Sequence, residues 1–293
     1  MEDEVALCVV PRRAAADERA LVLAAEGLSV RVVGTPEGFG VCVPPGEAAQ
    51  ARAALAAWER ENAGPERTDA PEPPLDATPV SHALAVAFAL VVFFLVTGPS
   101  RAASPWFVRG SADARRVLAG EPWRAVTALT LHADFPHVLG NALVGALFLA
   151  GVFRVFGLGA GAALVLVAGA GGNLLEAWLR GPEAVTVIGA STAVFAALGL
   201  LAGRGLVRGR ARGLRGRSAF LPVAAALGLL AMLGTAGQHT DVWAHACGLA
   251  VGVALGTGAT ATRRLLASRA LQGAAGTAAL ALLVGAWWLA LRG

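Results

Sequence analysis

No lysine occurs in the 293 residues, so all 24 basic side chains are arginine. That bias fits a GC-rich bacterial coding sequence. Cysteine is scarce: Cys8, Cys42 and Cys247 make an odd number, and no CxxC or Cys/His cluster has zinc spacing. A disulfide framework and a structural metal are therefore not expected. Charge is also scarce, at 15% of residues against 56% hydrophobic and a mean hydropathy of +0.62. An ordinary soluble domain carries about 25% charged residues, so this composition marks an integral membrane protein. The opening MEDEVALCVV is acidic where a signal peptide would be basic, and its apolar run is short. The N-terminus is expected in the cytoplasm.

What is present falls into two differently charged parts. Up to Asp76 there are fourteen acids against seven Arg; from Val80 onward there are seventeen Arg against six acids. The Arg of the second part fall between apolar runs, where membrane orientation explains them, so nucleic acid is not an expected partner. Residues 1–64 read as a small soluble α+β module. Val5–Val10, Leu28–Gly34 and Gly38–Val43 look like strands, with one helix between the first two and a second after Pro44. It reads as a cap without an assigned ligand. Residues 65–80 are a Pro-rich linker.

The remainder holds seven apolar runs, each of roughly the twenty residues needed to span a bilayer. They are Ser81–Gly98, Pro136–Phe156, Gly159–Trp178, Val187–Gly203, Phe220–Gly237, Val242–Gly258 and Gly273–Leu291. The stretch Arg204–Arg217 carries six Arg and no acid, and Arg263, Arg264 and Arg269 separate the last two runs. Both are read as cytoplasmic loops. The first long loop, Pro99–Leu131, then lies outside, although its five Arg pull the other way.

Polar groups inside apolar runs point to function because lipid offers them no partner. His132, His137 and Asn141 mark the second run and its approach, Ser191 and Thr192 the fourth, and His239, Asp241 and His245 the sixth. Asn173 and Glu176 mark the end of the third. His137 and Asn141 are four apart and share one helix face. Gly248, Gly252 and Gly256 recur every four residues and allow a neighbouring helix close. If that neighbour carries Ser191, His245 can serve it as a base, with His137 and Asn141 as donors to an oxyanion. By the expected topology His137, Ser191 and His245 share the outer half of the membrane. Taken singly, each has a structural reading: a back-bonded serine, a helix-to-helix hydrogen bond, or a histidine facing a wet cavity.

This pattern resembles the rhomboid family of intramembrane serine proteases. PWRAVTALTLHADFPHVLGNAL resembles the family's Trp-Arg loop and His, His, Asn series; VIGASTAVFAALG resembles its nucleophile segment; DVWAHACGLAVGVALG resembles its last core helix. The resemblance covers about Ser81–Gly258. It implies an all-α polytopic fold with a six-helix core over 81–258. The remaining residues, 259–293, would form a cytoplasmic loop and an added seventh helix. It implies a Ser191–His245 dyad and an oxyanion hole from His137, Asn141 and the Ser191 amide. No metal and no cofactor are implied. Trp123 and Arg124 would steady a first loop lying partly in the membrane. Implied partners are transmembrane protein substrates, cut near the outer face, and the lipid bilayer; the implied location is a bacterial inner membrane. The family usually has Gly after the nucleophile, and here Thr192 follows Ser191. That threonine is expected either to narrow the pocket or to support a neighbouring carbonyl.

Two other readings stay open on the residues alone. One is a catalytically silent relative that binds membrane proteins. The other is a metal site or transporter using His132, His137, His239 and His245. Carboxylate partners are scarce, however, and neither HExxH nor an intramembrane Asp pair occurs.

Overall fold

Alternating apolar residues at the N-terminus give strands, and the long apolar runs give helices. The computed structural model describes residues 4–62, 78–100, 104–183, 186–214, 216–233, 241–262, 266 and 268–292. The chain separates into two units, Met1–Pro74 and Leu75–Gly293. The linker expected at 65–80 lies outside the described residues except for 78–80, which already belong to a helix.

In the first unit, β1 (Val5–Val10), α1 (Arg13–Ala25), β2 (Arg31–Thr35), β3 (Gly38–Val43) and α2 (Ala48–Asn62) follow in order. β3 lies between β1 and β2, antiparallel to both. Thr35 pairs with Gly38, so β2 and β3 form a two-residue hairpin. Gly38 has φ +141, and a Cβ there would strike the Val10 carbonyl. Leu23, Val41, Val43 and Ala51 form the centre of a small core between sheet and helices.

The second unit begins with α3 (Thr78–Thr97). Three short helices follow in the first loop: α4 (Pro105–Gly110), α5 (Ala114–Leu118) and α6 (Arg124–Thr127). The longer helices are α7 (Phe135–Phe156), α8 (Leu158–Arg180), α9 (Ser191–Ala211), α10 (Leu221–Leu233), α11 (Val242–Ala261) and α12 (Arg269–Arg292). Among the described residues, six of these are long and apolar enough to cross a membrane: α3, α7, α8, α9, α11 and α12. The fold is all-α and polytopic, and the protein is an integral membrane protein. The fifth expected span is represented by α10, and its expected end, residues 234–237, lies outside the described residues.

Burial ranks the helices. In α9, 56% of the apolar window is buried, against 17% in α3 and 11% in α12, so α9 is central and those two are peripheral. Two boundaries differ from expectation. α9 starts at Ser191 rather than Val187, because Gly189 adopts φ +116 and Val187 pairs in extended form with Ala112. It also runs on to Ala211, through three of the Arg expected in a loop. Arginine is a good helix former, and cations near a helix C-terminus complement its dipole.

Glycine sets the contact between α9 and α11. A Cβ at Gly248, Gly252 or Gly256 would lie 2.4, 2.2 or 2.3 Å from the carbonyl oxygens of Thr192, Ala196 and Leu200. Gly199 and Gly203 face the carbonyls of Leu249 and Val253 in the same way. Gly252→Val must push the backbones apart and is expected to lower stability by about 1–3 kcal/mol or more. Gly258→Val, where nothing lies within 4 Å, serves as the near-neutral comparison. Thermal unfolding in detergent measures both, and equal midpoints would refute the packing argument.

At the opposite edge, Gln272 of α12 fits the reversal between α7 and α8. Its amide nitrogen donates to the carbonyls of Phe156 and Leu266, both at 2.7 Å. Its oxygen accepts from the amides of Gly159 and Ala160 at 2.9 and 3.1 Å.

Candidate active site

Of the polar residues singled out in the sequence, His132, His137, Asn141, Ser191, Thr192, Asp241 and His245 lie at or near the N-terminal ends of α7, α9 and α11, while Asn173 and Glu176 lie in α8. Ser191 is the first residue of α9. Ser191 and Phe195 are four apart on one face of that helix. The ring of His245 stacks on Phe195, with centroids 4.6 Å apart and planes at 30°. His245 is buried, one turn ahead of Gly248, which sits against the Thr192 carbonyl. The His245 imidazole therefore lies beside the turn that Ser191 begins.

The third arm comes from α7. A Cβ on Gly189 would lie 2.8 Å from Nε2 and Cε1 of His137 and 3.5 Å from Nδ2 of Asn141. Only a glycine with positive φ lets the chain pass these side chains and enter α9 two residues later. Asp134 caps α7 by accepting from the His137 amide at 2.8 Å. Nδ1 of His137 accepts from the Ala133 amide at 3.4 Å, which assigns the neutral-ring proton to Nε2, the atom beside Gly189. The Nδ2 group of Asn141 is buried and has no hydrogen-bond partner among the described residues. Two donors thus converge on the N-terminus of α9, where unpaired amides and the helix dipole already favour negative charge.

His132 has a supporting position that spacing alone did not show. Its Nε2 accepts from the Ala190 amide at 3.2 Å, while Ala128 O accepts from the Gly189 amide at 2.9 Å. The two residues ahead of Ser191 are held by the segment just before α7. His132 is fully buried and edge-on to His137, with ring centroids 5.2 Å apart. Burial, reinforced by the His137 charge, pushes its pKa down to about 3, against a smaller opposing pull from the Thr130 carbonyl. The neutral ring is the form able to accept the Ala190 proton. An unfolded chain takes up this proton near pH 6.5, so stability falls as pH drops from about 6.5 towards 3, by at most about 1.4 kcal/mol per pH unit. His132→Gln should flatten that slope in unfolding measurements between pH 7 and 4.

The first loop is tied to the same place. Ala112 and Val187 exchange both backbone hydrogen bonds, at 3.0 and 3.1 Å. Arg124 is buried, pairs with Glu121 and donates to the carbonyls of Val108 and Ser111. Thr127 Oγ1 donates to Gly110 O at 2.7 Å. Trp123 packs beside Ala125, Val126 and Leu129, and its indole N–H has no partner among the described residues. A second brace reaches α11. Arg180 bridges the buried Glu176 at 3.1 Å and Asp241 at 3.3 Å, and Asp241 caps the helix carrying His245. Glu176 and Arg180 are spaced i,i+4 and Asp241 stands just ahead of a helix, so both signals were available in the sequence. Their meeting was not. His239 lies outside the described residues.

Thr192 neither lines an opening nor holds a carbonyl. It is fully buried, its Cγ2 lies against Gly172 and Gly248, and its hydroxyl has no partner among the described residues. The methyl fills the junction of α8, α9 and α11. Thr192→Val keeps the shape and removes an unpaired polar group, so it should be neutral or stabilising by up to about 1–2 kcal/mol. Thr192→Gly should be destabilising through the void it leaves.

The family model of the Rhomboid domain matches residues 119–261, from the end of the first loop through α11. No curated protein matches the chain. The matched stretch contains Ser191, His245, His137 and Asn141, and it is a Rhomboid domain, the domain of a family of intramembrane proteases.

Proposed function

We propose that this protein is an intramembrane serine endopeptidase that cuts transmembrane-helix substrates. The observation that carries the reading is the convergence of His245, by way of Phe195, and of His137 and Asn141, by way of Gly189, on the turn that starts with Ser191. In this mechanism His245 takes the hydroxyl proton as Ser191 Oγ attacks the scissile carbonyl carbon. The carbonyl oxygen becomes an oxyanion, held by His137 Nε2–H, Asn141 Nδ2–H and the Ser191 amide. Collapse breaks the C–N bond, His245 returns the proton to the leaving amine, and the acyl-enzyme is released by water through the same base. No metal or cofactor enters these steps. Activity is assigned to the outer face of a bacterial inner membrane, with the N-terminal unit cytoplasmic.

The test is labelling of membranes by a fluorophosphonate probe together with cleavage of a reporter membrane protein. Labelling at Ser191 with cleavage of the reporter is the expected result. An unlabelled Ser191 in a folded chain that still binds membrane helices would instead make it a silent binder.

A further inference from the structure

The family match ends at residue 261, before α12, yet α12 reaches back towards the site. The indole N–H of Trp287 donates to Thr130 Oγ1 at 3.2 Å, and that hydroxyl donates in turn to Thr127 O at 2.8 Å. The Trp287 ring is wedged between α3 and the first loop, with centroids 5.5 Å from Phe93 and 5.1 Å from Trp106. A Cβ on Gly110 would lie 2.5 Å from the same ring, so that glycine makes room for it. Thr130 belongs to the short segment that holds the approach to Ser191: Ala128 O accepts from Gly189, and His132 Nε2 accepts from Ala190.

We infer that Trp287 is a positioning residue, acting through Thr130 on the Ala128–His132 segment and so on the backbone that presents Ser191. The seventh helix is then part of the enzyme's working geometry rather than an added membrane anchor. Segments 128–132 and 189–190 share two hydrogen bonds, so a shift of the first moves the second. Trp287 touches neither substrate nor reacting atoms and has no catalytic role of its own. The kinetic part of this inference rests on Ser191 being the nucleophile; the mechanical part does not.

The experiment uses the full chain in detergent or liposomes with two conservative variants. Trp287→Phe keeps a ring in the aromatic cluster but removes the N–H; Thr130→Val removes its acceptor. Three readouts are followed: the rate of fluorophosphonate labelling, amide hydrogen exchange in peptides covering residues 186–192, and the melting midpoint. Trp287→Phe should slow labelling about threefold to tenfold, the range set by losing one hydrogen bond, and Thr130→Val, which also loses the bond to Thr127 O, at least as much. The loss should fall on kcat for a reporter with KM little changed, and exchange at Gly189 and Ala190 should quicken. The double variant should be no slower than Thr130→Val alone, because that variant already removes the bond to Trp287. Unchanged exchange at 189–190 overturns the inference whatever the labelling shows. Faster exchange with unchanged labelling overturns the positioning role. A lowered melting midpoint with native labelling of the folded fraction assigns Trp287 to stability alone. If the native chain is not labelled but the variants exchange faster, the protease reading fails while the mechanical link stands.

Discussion

Ser191→Ala is expected to abolish both probe labelling and reporter cleavage, a loss on the order of 10⁴–10⁶ in kcat. The effect is that large because in the proposed mechanism the reaction divides into attack and release, and both run through one oxygen. The same substitution should leave the fold intact. Ser191 is only half-buried at the first position of α9, and alanine is at least as good a helix former there. His245→Ala should cost about as much activity, and the double variant little more than either single one, since nucleophile and base act as a unit. It differs in stability: removing the ring leaves Phe195 without its stacked partner. Melting midpoints beside labelling rates separate the two effects. Undiminished cleavage by Ser191→Ala would sink the proposed function outright.

The second large effect is expected at the donors. His137→Ala or Asn141→Ala should lower kcat by about 10²–10³ each while leaving KM nearly unchanged, the pattern of a bond strengthened only in the transition state. Asn141 is the cleaner of the two. Its buried Nδ2 has no partner among the described residues, so its loss orphans none of their groups. Asn141→Ala should therefore be close to neutral in stability. His137 also receives the Ala133 amide, so its replacement should cost stability as well as rate. A fall in KM-dependent binding without a fall in kcat, in either variant, would place these groups on the substrate instead of the oxyanion.

Much of this architecture could be read from residues, for physical reasons. The runs that become α7, α8 and α11 are long, apolar and bounded by Gly, Pro or Asp, so length and caps locate them within a few positions. The glycine stripe at 248, 252 and 256 named the close contact, though not the carbonyls that it meets. Where α9 begins was not legible. Val187–Ala190 is as apolar as the helix after it; what keeps it out of that helix is the pairing of Val187 with Ala112, seventy-five residues away, and the positive φ of Gly189. Hydropathy likewise could not end α9, because arginines on a helix look like arginines in a loop. His132 was visible as a polar residue near the site. Its hold on Ala190 depends on a backbone amide that no side-chain pattern displays. Thr192 runs against both roles foreseen for it: it is fully buried, its hydroxyl has no partner among the described residues, and the space it occupies is set by two glycines on other helices.

Gln272 adds a constraint on time. The amides of Gly159 and Ala160 and the carbonyl of Phe156 sit where α7 turns into α8, early in the membrane unit. Their side-chain partner belongs to α12 and is synthesised 113 residues after Gly159. While the chain is being made, these groups must rely on water or headgroups, since an unmatched polar group in hydrocarbon costs several kcal/mol. The reversal between α7 and α8 is thereby completed only when α12 arrives. A chain stopped short of residue 272 would carry every residue proposed for chemistry and still lack the amide that closes this turn.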